Sequence, residues 1–128
     1  MQGGQRIRVL VVDDHQIFTH ALTAVLEQDN RFEVVGTAAT GREAVRIAKD
    51  GRAQVVLMDM SMPVLDGPAA TRKLLELEHS PCVIALSGHT DSLSRTAALD
   101  AGAAAFVNKS EAFDELVDTI LEVYSSAA

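Results

Sequence analysis

The chain is short of several things, and each shortage excludes a class of function. It has one cysteine among 128 residues, Cys82, so no intramolecular disulfide can form. That residue stands in the apolar run Cys82-Val83-Ile84-Ala85-Leu86, where a buried, unreactive thiol is the natural reading. Positive charge is also scarce: 11 Lys and Arg face 18 Asp and Glu, a net charge of −7. Phosphate-backbone recognition needs cations clustered on one face, so DNA binding is not expected of this chain alone. No apolar run approaches the ~20 residues that cross a bilayer. Met1 to Arg8 is a polar lead-in without the apolar middle of a secretion signal. No membrane association is expected, and the cytoplasm is the expected compartment. Internal repeats, low-complexity tracts and interior linkers are absent as well.

What remains suits one soluble globular domain. The composition is 48% hydrophobic and 23% charged, and the length allows a sizeable single core. The domain is expected to fill residues 1–128, with 1–6 a polar lead-in and 125–128 the start of a linker.

Five short apolar runs alternate with five helical patterns, the signature of an α/β fold with a mainly parallel sheet. The runs are Ile7 to Val12, Glu33 to Thr37, Val55 to Met58, Cys82 to Leu86 and Ala104 to Val107. Several are almost continuous in Val, Ile and Leu, as expected when helices cover both faces of a sheet. The run containing Glu33 is the least apolar and suits an edge.

Between the runs, Phe18, Ala21, Leu22, Val25 and Leu26 repeat at helical spacing, as do Phe113, Leu116, Val117, Ile120, Leu121 and Tyr124. Thr40-Gly41-Arg42-Glu43 has the form of a capping box opening helix two, with Gly51 as its stop. Pro68 suits the first turn of helix three, where a missing N–H costs nothing. A fourth helix over Asp91 to Ala101 is rich in Ala and Ser, with only Leu93 and Leu99 as large apolar residues. Its packing is expected to be weak, which makes it a candidate moving part.

In an open α/β sheet, ligands bind outside the carboxyl ends of the strands. Here strand one ends in Asp13-Asp14, strand three in Asp59, strand four in Ser87-Gly88 and strand five in Asn108-Lys109. If strands one and three are neighbours, three carboxylates converge, and their repulsion is costly unless a cation joins them. Hard oxygen donors of this kind point to magnesium, or manganese, which also takes a phosphate oxygen. Lys109 would add a fixed positive charge and Ser87 a hydroxyl donor. A carboxylate in such a setting can attack phosphorus to give an aspartyl phosphate, and Asp59 is the natural nucleophile.

Plainer readings exist for each residue. Asp13 or Asp14 could cap helix one, Asp59 could be a turn aspartate, and Lys109 a solvated strand-end lysine. Asp66 and Gly67 read as structural, Asp66 capping and Gly67 relieving the backbone in the turn to helix three. His15, His20, His79 and His89 lack a common metal-ligand spacing; surface or capping roles are expected, with His15 and His89 near the mouth of the site.

The stretches Val11-Val12-Asp13-Asp14-His15, Asp59-Met60-Ser61-Met62-Pro63-Val64-Leu65-Asp66-Gly67, Ser87-Gly88 and Phe106-Val107-Asn108-Lys109 together resemble the motifs of response-regulator receiver domains. With Glu33-Val34-Val35-Gly36, the opening is most similar to receivers of NarL/LuxR-type transcription regulators. The resemblance implies a flavodoxin-like (βα)5 three-layer sandwich with sheet order 2-1-3-4-5. It implies that Asp59 accepts a phosphoryl group from a sensor histidine kinase. It further implies that Asp14 and Asp59 contact magnesium, with Asp13 partly through water and the Ser61 backbone carbonyl as a further ligand. Ser87 and Phe106 are implied as a switch acting on the face formed by helix four, strand five and helix five. Ser61 and His89, two residues after Asp59 and Ser87, are implied to modulate the rates.

The same resemblance implies a homodimer on phosphorylation and a DNA-binding domain outside this chain; a stand-alone regulator is the alternative. Two departures stand out: Ser110 follows the lysine where many receivers have proline, which puts a cis Lys109–Ser110 bond in question, and Phe106 replaces a common tyrosine. From another class, a magnesium-dependent phosphohydrolase would carry Asp-x-Asp after strand one, whereas these acids are adjacent. A receiver that has lost phosphorylation would lack one of the acids, the hydroxyl or the lysine, and all are present.

Overall fold

The computed structural model describes residues 6–50, 52–60, 67–88 and 92–127. Within them the chain runs β1 (Ile7–Val12), α1 (Gln16–Glu27), β2 (Phe32–Ala38), α2 (Gly41–Ala48), β3 (Val55–Asp59), α3 (Gly67–Leu75), β4 (Cys82–Ser87), α4 (Ser92–Ala101), β5 (Ala105–Asn108), a short 3-10 turn (Lys109–Glu111) and α5 (Ala112–Ala127). The five strands form one sheet in the order β2-β1-β3-β4-β5, and every neighbouring pair is parallel. The expected flavodoxin-like order is therefore the one observed, with β2 at an edge and Glu33 exposed on it.

Side chains alternate across the sheet with period two, and both sets are buried. Val9, Val11, Val55, Leu57, Ile84, Leu86 and Val107 pack with Leu22 and Leu26 of α1 and Leu116 and Ile120 of α5. Leu10, Val12, Val56, Met58, Val83 and Ala85 pack with alanines of α2, α3 and α4 and with Leu74. Central β3 is buried along its whole length, which is why its sequence shows no alternation of polar and apolar residues.

The boundaries shift by a residue or two from the sequence reading. β2 gains Phe32 and Ala38, since Phe32 is a fully buried core residue. β3 takes in Asp59, which pairs with Leu86 of β4, and β5 lies one residue later than expected, at Ala105–Asn108. α3 starts at Gly67, one residue before Pro68.

Thr40 does cap α2, its hydroxyl accepting from the Glu43 amide at 3.1 Å, but the Glu43 carboxylate accepts from Ala39 rather than Thr40. α2 ends at Ala48, and Gly51, the expected stop, lies outside the described residues, as does Asp91 before α4. At the end of α4, Gly102 adopts φ +110°, its amide bonding Leu99 O and that of Ala103 bonding Ala98 O. This is the paired closure that a left-handed residue allows. α5 runs through Ala127, so Ser125 and Ser126, read as the start of a linker, form its last turn; no Gly or Pro interrupts it. Every peptide bond among the described residues is trans, Lys109–Ser110 included. No helix among them is long and apolar enough to cross a membrane.

Candidate functional site

Because the strands are parallel, their carboxyl ends share one edge of the sheet. The register pairs Val12 of β1 with Met58 of β3, so Asp13 and Asp59, the next residue on each strand, emerge side by side. Both are almost completely buried, at 2% and 1% exposure. Asp13, Asp14, His15 and Asp59 each place one possible ligand atom within 4.8 Å of the others. The adjacency needed for the charge argument is thus present.

Lys109 reaches this cluster from the end of β5. Its Nζ lies 2.5 Å from Asp13 Oδ2 and 3.4 Å from Asp59 Oδ1; the closer contact is an ion pair rather than a directed hydrogen bond. The turn that aims Lys109 is fixed by Asn108, whose Oδ1 accepts from both the amide and the hydroxyl of Ser110. Placing two carboxylates in a water-poor pocket beside one ammonium leaves an excess of negative charge, which a divalent cation would relieve.

Asp14 does not cap α1. The N-cap residue is His15, its amide donates to Asp13 Oδ1 at 2.8 Å, and its Nδ1 lies 2.9 Å from Asp13 Oδ1 and 3.3 Å from Asp14 Oδ1. Histidine spacing gave no sign of this, because the partners are the two preceding residues rather than other histidines. Thr19 is also brought to the site, its hydroxyl donating to the Asp13 carbonyl at 3.4 Å.

Ser87 closes β4, is fully buried, and follows Leu86, the register partner of Asp59. Phe106 pairs with Ala85 on the next strand. By alternation, Ser87 and Phe106 therefore share the sheet face covered by α2, α3 and α4. Phe106 is half-buried against that core, with the Arg95 guanidinium 5.8 Å from its ring centroid. Ser61, Asp66 and His89 lie outside the described residues.

Gly67 matters for a different reason than a special backbone angle, since among the described glycines only Gly102 has positive φ. A Cβ on Gly67 would lie 2.5 Å from both Asp59 O and Met60 Cα. Glycine is what lets α3 begin directly against the backbone of the buried aspartate. Phe18, read as an ordinary core residue of α1, has its ring centroid 5.0 Å from Lys109 Nζ. Nothing in sequence spacing links positions 18 and 109.

Half-buried Cys82 has its thiol pushed upward in pKa by burial, which suits an unreactive residue.

Comparison with known proteins agrees with the geometry. The response regulator receiver domain family matches residues 9–121. Over 119 residues the chain is 39% identical to the response regulator UvrY of Escherichia coli (strain K12), covering 93% of this chain and 55% of that protein. It is 38% identical to the response regulator GacA of Pseudomonas viridiflava, with 93% and 56% covered. The chain spans about half the length of these curated relatives. Among solved structures, the signal receiver domain of the putative response regulator NarL from Mycobacterium tuberculosis superposes with a TM-score of 0.88 at 30% identity, covering 94% of this chain and 98% of that one. A family match that covers most of the chain, joined to a fold of the same strand order, decides the matter: this chain belongs to the receiver domains of two-component response regulators.

Proposed function

We propose that Asp59 accepts a phosphoryl group from the phosphohistidine of a sensor histidine kinase. One oxygen of its carboxylate attacks phosphorus, the P–N bond to the donor imidazole breaks with its electron pair going to nitrogen, and an aspartyl phosphate forms. Water attacking the same phosphorus later restores the carboxylate. What supports this reading is the convergence of buried Asp59 and Asp13, Asp14 and the Lys109 ammonium at the carboxyl end of one sheet. Lys109 offers positive charge to the transferring oxygens, and Ser87 a hydroxyl at the next strand end.

The donor set fits magnesium: carboxylate oxygens within reach of one another, carrying more negative charge than Lys109 balances. Asp13, Asp14 and Asp59 would hold it. When bound, the ion neutralises charge that accumulates on the phosphoryl oxygens. Any self-catalysed gain or loss of the phosphoryl group is slow, which makes the chain a switch rather than a turnover enzyme.

In the same reading, residues 1–128 are the receiver of a longer cytoplasmic protein. Ser87 and Phe106 change position on phosphorylation and alter the face formed by α4, β5 and α5. Output is transcriptional, through a DNA-binding domain outside this chain, with homodimers forming on phosphorylation.

Incubation with acetyl phosphate and Mg2+ followed by intact-mass measurement tests the core claim. A single phosphoryl adduct, lost in Asp59→Asn and when EDTA replaces the metal, is expected. An adduct that persists in Asp59→Asn would move the acceptor elsewhere. Rapid multiple turnover of metabolite phosphates would instead favour a phosphohydrolase.

A further inference from the structure

We propose that Phe18 is a positioning residue for Lys109, holding its ammonium beside the acceptor through the face of its ring. The inference rests on the phosphoacceptor reading above. Lysine carries its charge on a flexible four-carbon stem, so something must keep Nζ at the strand edge. Two of the groups around it are carboxylates, Asp13 at 2.5 Å and Asp59 at 3.4 Å. Another, among the described residues, is the Phe18 ring, with its centroid at 5.0 Å.

These partners differ in one physical respect. The carboxylates attract Lys109 only while their charge is unshared, and a divalent cation or a phosphoryl group at the site takes up that charge. The ring quadrupole neither titrates nor binds magnesium, so its attraction for the ammonium persists through the reaction. The ring is itself held: Phe18 meets Phe113 edge to face, with centroids 5.7 Å apart and planes at 63°. Phe18 belongs to the first turn of α1 and Phe113 to that of α5. The pair fastens those two helices together beside the lysine, and Lys109 stays largely enclosed, with 16% of its side chain exposed.

The test combines a contact measurement with a double-mutant cycle. In the wild-type protein, ring current should move the Lys109 ε-methylene protons upfield of their usual position in a proton–carbon correlation spectrum. The shift should survive in Phe18→Tyr and vanish in Phe18→Leu, which keeps apolar bulk but loses the ring.

At saturating Mg2+ and acetyl phosphate, labelling of Asp59 should slow about three- to tenfold in Phe18→Leu and stay within about twofold in Phe18→Tyr. In a Lys109→Ala background, Phe18→Leu should cause no further slowing, because the ring acts only through the lysine. Equal slowing in both backgrounds, or an unshifted Lys109 methylene in wild type, would overturn the proposal. The wild-type shift decides even if Phe18→Leu fails to fold. Absence of labelling in wild type would sink the acceptor reading and this role with it; a ring-shifted methylene would then mark a purely structural contact.

Discussion

The two helical layers of this molecule cover the same sheet with different side chains. On the α1/α5 side, the fully buried residues include Leu22, Leu26, Phe32, Leu116 and Ile120. Among the described side chains on the other side, the fully buried apolar residues of α2, α3 and α4 are Ala44, Ala48, Ala70, Ala98 and Leu74, with Val45, Ile47 and Leu75 partly buried against them. Burial stabilises roughly in proportion to apolar area, so a helix docked by leucine and isoleucine is held harder than one docked by alanine. Among the described side chains of α4, Ala98 and Ala101 are buried while Leu99 is 42% exposed. The firm layer carries the Phe18–Phe113 pair beside Lys109, and the loose layer covers the sheet face that holds Phe106 and, by alternation, Ser87.

The comparison breaks most visibly in the cores. Leu116→Ala should destabilise the protein by about 2–5 kcal/mol, the range for a large residue truncated in a tight core. Ala98→Gly, made in the loose layer, should cost only about 1 kcal/mol, mainly backbone entropy. Urea denaturation of both variants measures the contrast, and similar losses at the two positions would remove the distinction. Amide exchange in the native state should show α4 opening at lower free energy than the middle of α5.

An intermediate effect is expected where the loose layer touches the end of β3. Gly67→Ala should cost about 1–3 kcal/mol, because its Cβ meets backbone atoms that no rotamer change can move aside. The start of α3 must then shift away from Asp59, so labelling by acetyl phosphate should slow as well. A variant with wild-type stability and labelling would show that this junction has room to spare.

Much of this architecture was legible in the chain. Runs such as Val55 to Met58 announce a strand buried on both sides, and the acids and lysine stand at strand ends, where parallel topology gathers them. Two kinds of feature were not legible. Contacts between distant residues on different elements, such as Phe18 with Lys109, leave no trace in spacing. Close approaches depend on atoms rather than residue types: Gly67 reads as a turn glycine until the Asp59 carbonyl is seen beneath it. For α4, composition alone suggests a small buried area, since Ala and Ser have little apolar surface to bury.

The smallest effect sharpens the firm layer at its rim. Between α1 and β2, the Arg31 guanidinium donates to Asp29 at 2.7 and 2.9 Å and lies over the ring of buried Phe32; the charge of Asp118 on α5 adds to its hold. The Arg31 side chain lowers the Asp29 carboxyl from 3.8 to about 2. A depressed carboxyl contributes stability above its unfolded value and loses it as pH falls through the folded one, so this contribution should be whole above pH 3.8 and fade toward pH 2. Asp29→Asn keeps an oxygen for the Arg31 amide, which now donates to Asp29 Oδ1 at 3.0 Å, and so removes chiefly the charge. The pair is solvent-accessible, and such pairs contribute little. The urea midpoints of wild type and Asp29→Asn should therefore differ slightly at neutral pH and converge as pH drops through that window. Midpoints that stay parallel across it would mean that Arg31 is held by Phe32 and α5 rather than by Asp29.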